Sequence, residues 1–576
     1  SRKQPKLACQ LLLDYYRKTG AKKNLHIKKP PVSQAKNHAA DLLVQNIYTI
    51  NNQTAQVPYR QNGHIDWRFH GPTDDLEWSW VLNRHYHLDT LFRAYLETGN
   101  PVYAQTIDLQ IKDCIIASLP YTNVKSFSNE MWRGLEVNFR VKQWAKLFYA
   151  LNNTAYLSPA TQLLILTNMP EHAHYLRYHH DGGNWFTMEI SALATLATAW
   201  PEYKESPGWF RYAASTMEKH MEDHVYPDGA QKELSSSYHK VSLDNFNLMT
   251  DICKNANMPV SDKYGKYIEK MWNYLAFTIR PDGYGLLNND SDLKYNREII
   301  LDAAEQHRRE DWKYIATNGK EGIRPSGEPS FFFPWAGQLI MRSGYNASAQ
   351  WAFFDIGPCG IGAHQHYDKL HLSVSVYGHD FLVDAGRFSY DGEVGRKFRK
   401  PYAVHSAGHN VILIDGKGQA PGPSYTNEPL TGNDFKITDH FDYACNSFNQ
   451  FVDMTGNCEH SRALFYVRGK FWVVVDKITT DRPRKIETLW HWHPDCQVNV
   501  NDKQVVTGRN EGGFLQIIPV STTKWSVSMV KGQETPSIQG WYSRDYTLYE
   551  PNTASMYTTD IQKETLFAWI LYPSEK

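Results

Sequence analysis

The apolar residues keep one period as far as about residue 320 and another after about 330. That switch limits the chain to folds with a helical part followed by a β part. In "EWSWVLNRHYHLDTLFRAYLETGN", Trp78, Leu82, Tyr86, Phe92 and Tyr95 recur near helical spacing, and Gly99 is placed to end the helix. "LEVNFRVKQWAKLFYALNN" repeats the pattern through Val137, Val141, Trp144 and Phe148, and "MEISALATLATAWPEY" halts at Pro201. "SLDNFNLMTDICKNANMP" and "YGKYIEKMWNYLAFTIRPDG" continue the series. Helices of roughly 12–20 residues with Gly, Pro or Asn between them suit antiparallel pairs around a common centre. Downstream, "GQLIMRSGYN", "AQWAFFDIG", "LHLSVSVYG", "HNVILIDGKG", "ALFYVRGKFWVVVDKIT", "ETLWHWHP", "FLQIIPV", "WSVSMVKG" and "TLFAWILYP" are short, often alternating, and separated by turn residues. They read as an antiparallel β-sandwich. The join is the Gly- and Pro-rich "NGKEGIRPSGEPSFFFPWAG". The expected fold class is therefore α+β and multidomain, with a helical domain over 1–325 and a β-sandwich over 326–576.

Composition narrows the partners. The chain has 61 basic and 61 acidic residues. It carries no global basic field, which argues against general nucleic-acid binding. Its 18 Trp and 35 Tyr make it rich in aromatics; stacking on sugar rings is one use of them, and ordinary core packing takes most. The seven cysteines fall in no metal or redox spacing, and buried free thiols are expected. No apolar run approaches the roughly 18 residues of a membrane span. The first residue is Ser1, which fits a removed secretory signal.

One stretch asks for more than structure. "GIGAHQHYDKLHLSVSVYGHDFLVDAG" carries His364, His366, Asp368, His371 and Asp384, none of which a plain hairpin needs. If extended, His364 and His366 share a face. A turn at Gly378–His379 pairs Tyr377 with Asp380 and sets Asp384 opposite Ser373. That lies about 23 Å from His366 along a straight strand, so simple hairpin pairing does not gather these side chains. Elsewhere, Asn184 in "GGNWFTME" suits a helix N-cap, and Tyr238 in "ELSSSYHKV" reads as one more aromatic on a helix. Arg133, Glu136 and Arg140 read as a salt-bridged helix face or as ligands for sulfate and carboxylate. "NNDSD" at 288–292 reads as a polar loop.

Four segments, in this order, resemble the heparinase II/III-like polysaccharide lyases and the alginate lyases of the same architecture. They are "GGNWFTMEISALATLATAWPEY", "YPDGAQKELSSSYHKVSLDNF", "GAHQHYDKLHLSVSVYGHDFLVDAG" and "HSAGHNVILIDGKGQ", with the α-to-β switch between the second and third. The resemblance implies an (α/α) toroid, an incomplete barrel, followed by an antiparallel β-sandwich. It implies cleavage beside a uronic acid by β-elimination, with Asn184 neutralising the carboxylate and Tyr238 and His364 sharing the proton transfers. His239, beside Tyr238, is then structural. Trp185, Arg133, Tyr402 and His405 are candidate substrate contacts. His366, Asp384 and His409 become ligands of one structural divalent metal, zinc by family habit, with one position left for water. No organic cofactor is implied. The expected partner is an acidic polysaccharide, a glycosaminoglycan with heparan sulfate first and alginate, chondroitin or hyaluronan open. The expected setting is bacterial, secreted or periplasmic.

Two rivals stand beside this reading. An inverting glycoside hydrolase would need two carboxyls about 6.5–9.5 Å apart, to which Glu189, Glu233 and Asp290 could be recruited. A non-catalytic glycan-binding protein would keep the fold and lose turnover.

Overall fold

The computed structural model describes residues 4–22, 36–520 and 522–575. Helices follow one another from Pro5–Lys22 to Glu310–Ala316, with one small hairpin, Ile47–Ile50 against Gln53–Gln56, among them. Strands dominate from Phe331–Phe333 onward. The chain is thus mixed α+β, helical first and antiparallel sheet second. No helix among the described residues is long and apolar enough to cross a membrane. All seven cysteines are free.

The chain divides into two compact units. The first runs to His220 and adds Asp244–Ser261 and Asp391–Glu393; the second holds Met221–Leu243, Asp262–Tyr390 and the chain from Val394 onward. The compact division therefore does not follow the change of period near 330. The cause lies in how the Asp262–Thr278 helix is held within the second unit. Tyr274 donates to Gln338 Oε1 at 2.7 Å, Phe277 packs on Phe331 with ring centroids 4.4 Å apart, and the buried Arg342 donates to the carbonyls of Phe277 and Ile279.

In the first unit the apolar stripes close a core that includes Trp78, Trp132, Trp144, Phe148 and Trp200. The long helix expected over 77–98 is two, Leu76–Asn83 and His87–Thr98. His85 between them takes a left-handed conformation, φ 61°. Its buried ring accepts from Trp144 Nε1 at 3.0 Å, and that bond favours the break over continuation. Gly99 ends the second helix, also left-handed, where a glycine carries no Cβ strain.

The second unit contains three main antiparallel sheets. The largest has eight strands, in the order Gln497–Val500, Val506–Asn510, Gly513–Pro519, Thr565–Ser574, Phe471–Thr480, Cys458–Val467, Phe441–Phe448 and Phe435–Ile437. A four-stranded sheet runs Ser526–Lys531, Thr553–Ile561, Arg484–His491, Ile412–Ile414. A five-stranded meander runs from Phe331–Phe333 to His379–Leu382. Strict alternation buries Leu464, Tyr466, Trp472 and Val474 of the large sheet against Leu339, Phe354 and Val374 of the meander and Ile412, Ile486 and Trp490 of the four-stranded sheet. The same inner face carries His460, Arg462 and Asp476. Asp476 accepts from His460 Nε2 and Arg462 Nε, both at 2.7 Å, and from Trp569 Nε1 at 3.0 Å.

Candidate functional site

Two residues before the Gly183–Ala199 helix, the backbone N–H of Asp181 donates to Glu189 Oε2 at 2.7 Å. The helix is capped by Gly182, so Asn184 lies in its first turn rather than at the cap, and it is 2% exposed. Gly183, with φ 59°, makes the entry turn. Glu189 is fully buried, and its Oε1 has no hydrogen-bond partner. Burial drives its carboxyl well above the usual range. A Cβ on Gly134 would overlap that carboxyl, so a side chain there would have to displace Glu189. Arg133 is 3% exposed, bonded twice to Glu136 at 2.8 and 2.9 Å. Its guanidinium lies over Trp80 at 3.4 Å and over Trp185 at 4.8 Å from the ring centroids. Arg133 is therefore spent on its own unit and fixes the Trp185 ring instead of being offered to sulfate. Glu136 and Arg140 are also buried, so the salt-bridged reading holds for Arg133 and Glu136, but away from solvent.

In the second unit the structure brings Tyr238 and His364 together. Tyr238 enters on the first turn of the Ser236–Asn255 helix, and its ring stacks on His364 at 3.6 Å between centroids and 13° between planes. The Tyr238 hydroxyl shares a short hydrogen bond with the Tyr390 hydroxyl, and Arg387 Nη1 donates to both, at 3.2 and 3.1 Å. Tyr390 also meets His364 Nδ1 at 3.2 Å. Arg387 is held in turn by Asp292, with bonds of 2.7 and 2.5 Å. His364 Nδ1 lies 3.0 Å from Asp290 Oδ2, while Nε2 lies 3.9 Å from Glu233 Oε2. Arg399 Nη2 donates to the same Asp290 oxygen at 2.6 Å. Burial raises Asp290, but bonds from His364 and His366 and the charge of Arg399 hold it well below the carboxylate range. Burial, followed by the Asp290 charge, keeps Tyr390 well above the usual phenol value. His239 faces away from this cluster. It is buried, with Nε2 3.0 Å from the Met271 carbonyl and Nδ1 accepting from the Gln231 N–H.

His366, Asp384 and His409 also converge. All three are buried, and one donor atom from each lies within 4.8 Å of the others. His366 Nε2 faces Asp290 Oδ1 at 3.0 Å, and its Nδ1 is buried with no hydrogen-bond partner. His409 Nδ1 faces Asp384 Oδ2 at 2.8 Å, and its Nε2 is likewise unpartnered. Burial lowers His409, but the Asp384 charge and hydrogen bond carry it up to about 9. Two buried imidazoles, each with one nitrogen lacking a hydrogen-bond partner, and a buried carboxylate within 4.8 Å of one another are chemically suited to a divalent metal. Asp368 and His371 flank the group, at 4.0 Å from His409 and 3.7 Å from Asp384.

The hairpin geometry explains how these ligands meet. The turn is at Tyr377–Gly378, both left-handed, so Val376 pairs with His379 and the expected register is off by one. A bulge follows between Ser375 and Val374, and the chain leaves the sheet at Leu382. Nor do His364 and His366 lie on a strand. The strand starts at Leu372, behind a turn in which the His371 N–H donates to Asp368 O and Leu370 is left-handed. That turn folds His366 back, and His409 arrives from the short helical turn Ser406–Gly408. Tyr402 is buried, its hydroxyl donating to the Trp541 carbonyl at 3.1 Å, so it packs and is not presented to a ligand. His405 is half-buried against Tyr367.

Sequence reasoning missed Asp292, Arg387, Tyr390 and Arg399, and raised Asp290 only as a carboxyl for the hydrolase rival. The signal was the "NNDSD" run. Five consecutive hydrogen-bonding side chains are excessive for a surface loop, and all five are buried. Asn288 and Asn289 donate to the Leu234 carbonyl at 2.7 and 3.0 Å, Ser291 bonds Ser235 at 2.9 Å, and the His366 N–H donates to Asn289 at 2.8 Å. The run ties the Tyr238 turn to the His364–His366 loop.

Two family models match the chain: "Heparinase II/III N-terminus" over residues 1–309 and "Heparinase II/III-like, C-terminal" over 325–570. A protein named heparin-sulfate lyase from Bacteroides stercoris is 25% identical over 547 residues, covering 88% of this chain and 78% of its own length. One of the same name from Pedobacter heparinus is 25% identical over 545 residues, covering 91% and 80%. Among solved structures, heparinase III aligns with a TM-score of 0.78 at 18% identity, over 99% of this chain and 90% of its own. A mutant of the heparan sulfate lyase HepC from Pedobacter heparinus aligns at 0.70 and 22%, over 99% and 89%.

Proposed function

The chain belongs to the heparinase II/III-like family, and on that premise we propose that it is a polysaccharide lyase acting on heparan sulfate or heparin by β-elimination. The relatives named heparin-sulfate lyase support the substrate class. The observation that carries the reaction is the Tyr238–His364 pair, a phenol stacked on an imidazole with Arg387 donating to the phenol oxygen. In the reaction a base takes the C5 proton of the uronate. The electron pair forms the C4–C5 double bond, the C4–O4 bond breaks, and an acid protonates O4. With Nδ1–H given to Asp290, His364 keeps a lone pair on Nε2 to receive a proton. Tyr238 can deliver one to O4, and Arg387 stabilises the negative charge then left on its oxygen. Asn184 takes the carboxylate-neutralising role by its motif. A neutral amide donor aimed at developing charge is among the larger catalytic contributions.

His366, Asp384 and His409 would hold the metal, and zinc suits two imidazoles and a carboxylate with a fourth position left to water. A metal bound there would stiffen the loop that carries His364. A polymer of this size and charge does not enter cells freely, which supports action outside the cytoplasm. The hydrolase reading fails at Asp290, which is fully buried under three donors and so is no member of the carboxyl pair that inversion needs.

Near-ultraviolet absorbance of the unsaturated uronate, followed separately on heparan sulfate, heparin, chondroitin sulfate, hyaluronan and alginate, tests this. A rise on heparan sulfate or heparin that Tyr238→Phe abolishes is the expected result. A rise confined to another polymer reassigns the substrate. Release of reducing ends without absorbance overturns the lyase reading.

A further inference from the structure

We propose that Asp290 is a positioning residue serving two centres at once, fixing the proton-transfer face of His364 and the metal-facing nitrogen of His366. The His364 half rests on the reaction proposed above; the His366 half rests on the metal group alone. Asp290 is fully buried and accepts on both oxygens: His366 Nε2 at 3.0 Å on Oδ1, and His364 Nδ1 at 3.0 Å with Arg399 Nη2 at 2.6 Å on Oδ2. A buried carboxylate under three donors is ionised and can only accept. Each neutral imidazole must therefore turn its N–H toward it. For His366 this places the proton on Nε2 and leaves the lone pair on Nδ1, the buried nitrogen that has no partner. For His364 it places the proton on Nδ1 and leaves Nε2 as the acceptor. One carboxylate thus selects both tautomers. The backbone reinforces it, with the Asp290 N–H donating to His364 O at 3.3 Å and the His366 N–H to Asn289 Oδ1. A carboxylate behind a metal-binding histidine raises its basicity and orients the ring. Here the same carboxylate also orients the histidine assigned to proton transfer.

The asymmetry of the donors gives a sharp test. An amide in place of the carboxylate has one accepting oxygen and one donating nitrogen. Arg399 can only donate, so the Asp290→Asn oxygen must face Arg399 and His364. Its NH2 then faces His366 Nε2, which must accept, moving the His366 proton onto Nδ1 where the metal belongs. Zn2+ affinity of the full chain, read by competition with a chromogenic chelator, is expected to fall about tenfold or more in Asp290→Asn. Adding Arg399→Met frees the amide to turn its oxygen to His366, and the double variant is expected to recover most of the lost affinity. A merely structural role predicts the reverse, since a second buried substitution would only deepen the damage. Unchanged affinity in Asp290→Asn, or no recovery in the double variant, overturns the His366 half. If Asp290→Asn does not fold, histidine 15N shifts of the unaltered protein decide: a proton on Nε2 of His366 supports the proposal, and one on Nδ1 overturns it. For the His364 half, Asp290→Ala is expected to lower kcat by about 100-fold or more with KM nearly constant. A change in KM alone overturns it. Zn2+ binding needs no substrate, so it decides its half even if the unaltered protein turns over none of the polymers.

Discussion

In the first unit several ionisable groups are buried without an opposite charge, and around His364 the second unit buries them in opposed sets. Glu189 is driven up by burial, Lys142 is pushed down to about 7, and Arg140, His85 and His172 are all lowered, burial being the largest cause each time. In the second unit burial acts the same way but is outweighed. Asp290 and Asp384 stay low beside histidines, while Arg387 and Arg399 rise beside Asp292 and Asp290. Neither unit is uniform. In the first, Arg84 is paired with Glu77 and Glu136, and Arg133 with Glu136; in the second, burial prevails at Asp292, Asp368, His371 and Asp355, the last pushed up to about 7 with help from Asp368. The lesson is that burial alone removes charge, and only a matched partner within hydrogen-bond reach keeps it. A neutral amide at Asn184 suits the first setting, and a charged relay suits the second.

The difference can be broken most forcefully at Asp476. Asp476→Asn keeps the shape but leaves Arg462 buried without its counter-ion. It is expected to cost about 3–5 kcal/mol in denaturant unfolding. A loss below about 1 kcal/mol would show that the opposed sets do not depend on charge. Next comes Asn184→Ala, expected to lower turnover about 10²–10³-fold with the unfolding midpoint nearly unmoved. Asn184→Asp should be no better, because a carboxylate repels the substrate carboxylate that a neutral amide can donate to. Glu189→Gln sharpens the contrast from the other side. A carboxyl that burial drives well above its usual range is replaced by a neutral isostere, so the cost in unfolding is expected to stay under about 1 kcal/mol. The smallest effect is at Lys142, whose Nζ donates to Asn245 Oδ1 at 2.8 Å. Its folded value of about 7 lies below the ordinary lysine value near 10.4, so between the two the unfolded chain holds more protons. The contribution is complete above about pH 10.4 and is lost as pH falls through about 7. Melting of the native protein relative to Lys142→Met should therefore rise from pH 7 toward pH 10. A flat difference would place the amine in water.

The fold class was legible because period is a local property. The nine quoted β segments all contain strands, and Gly99 and the residue before Pro201 mark true helix ends. The extent of the compact units was not legible, because nothing in "YGKYIEKMWNYLAFTIRPDG" announces that Arg342 will seek its carbonyls. At the site, His366, Asp384 and His409 were found through motif resemblance. Spacing alone argued against their meeting, since a straight strand was assumed where Leu370 and the Tyr377–Gly378 turn bend the chain. Arg133 and Tyr402 misled for the opposite reason. An arginine and a tyrosine near a motif look available until Glu136 and the Trp541 carbonyl are seen to hold them. Asp290 was raised only for the hydrolase rival, and its place between His364 and His366 went unread because a polar run is ordinarily solvent-facing and only tertiary packing turns it inward.

The eight-stranded sheet has a consequence for handling the protein at high concentration. Its long strands, Cys458–Val467, Phe471–Thr480 and Thr565–Ser574, lie in the interior of the order, while its margins are Phe435–Ile437 and Gln497–Val500, three and four residues long. A margin that short presents too few free N–H and C=O groups to template another chain, and Lys436 adds a charge that an incoming strand would have to bury. The sheet can therefore be wide without becoming a seed for fibrils, and substitutions that lengthen either margin are the ones most apt to turn a soluble preparation into a precipitating one.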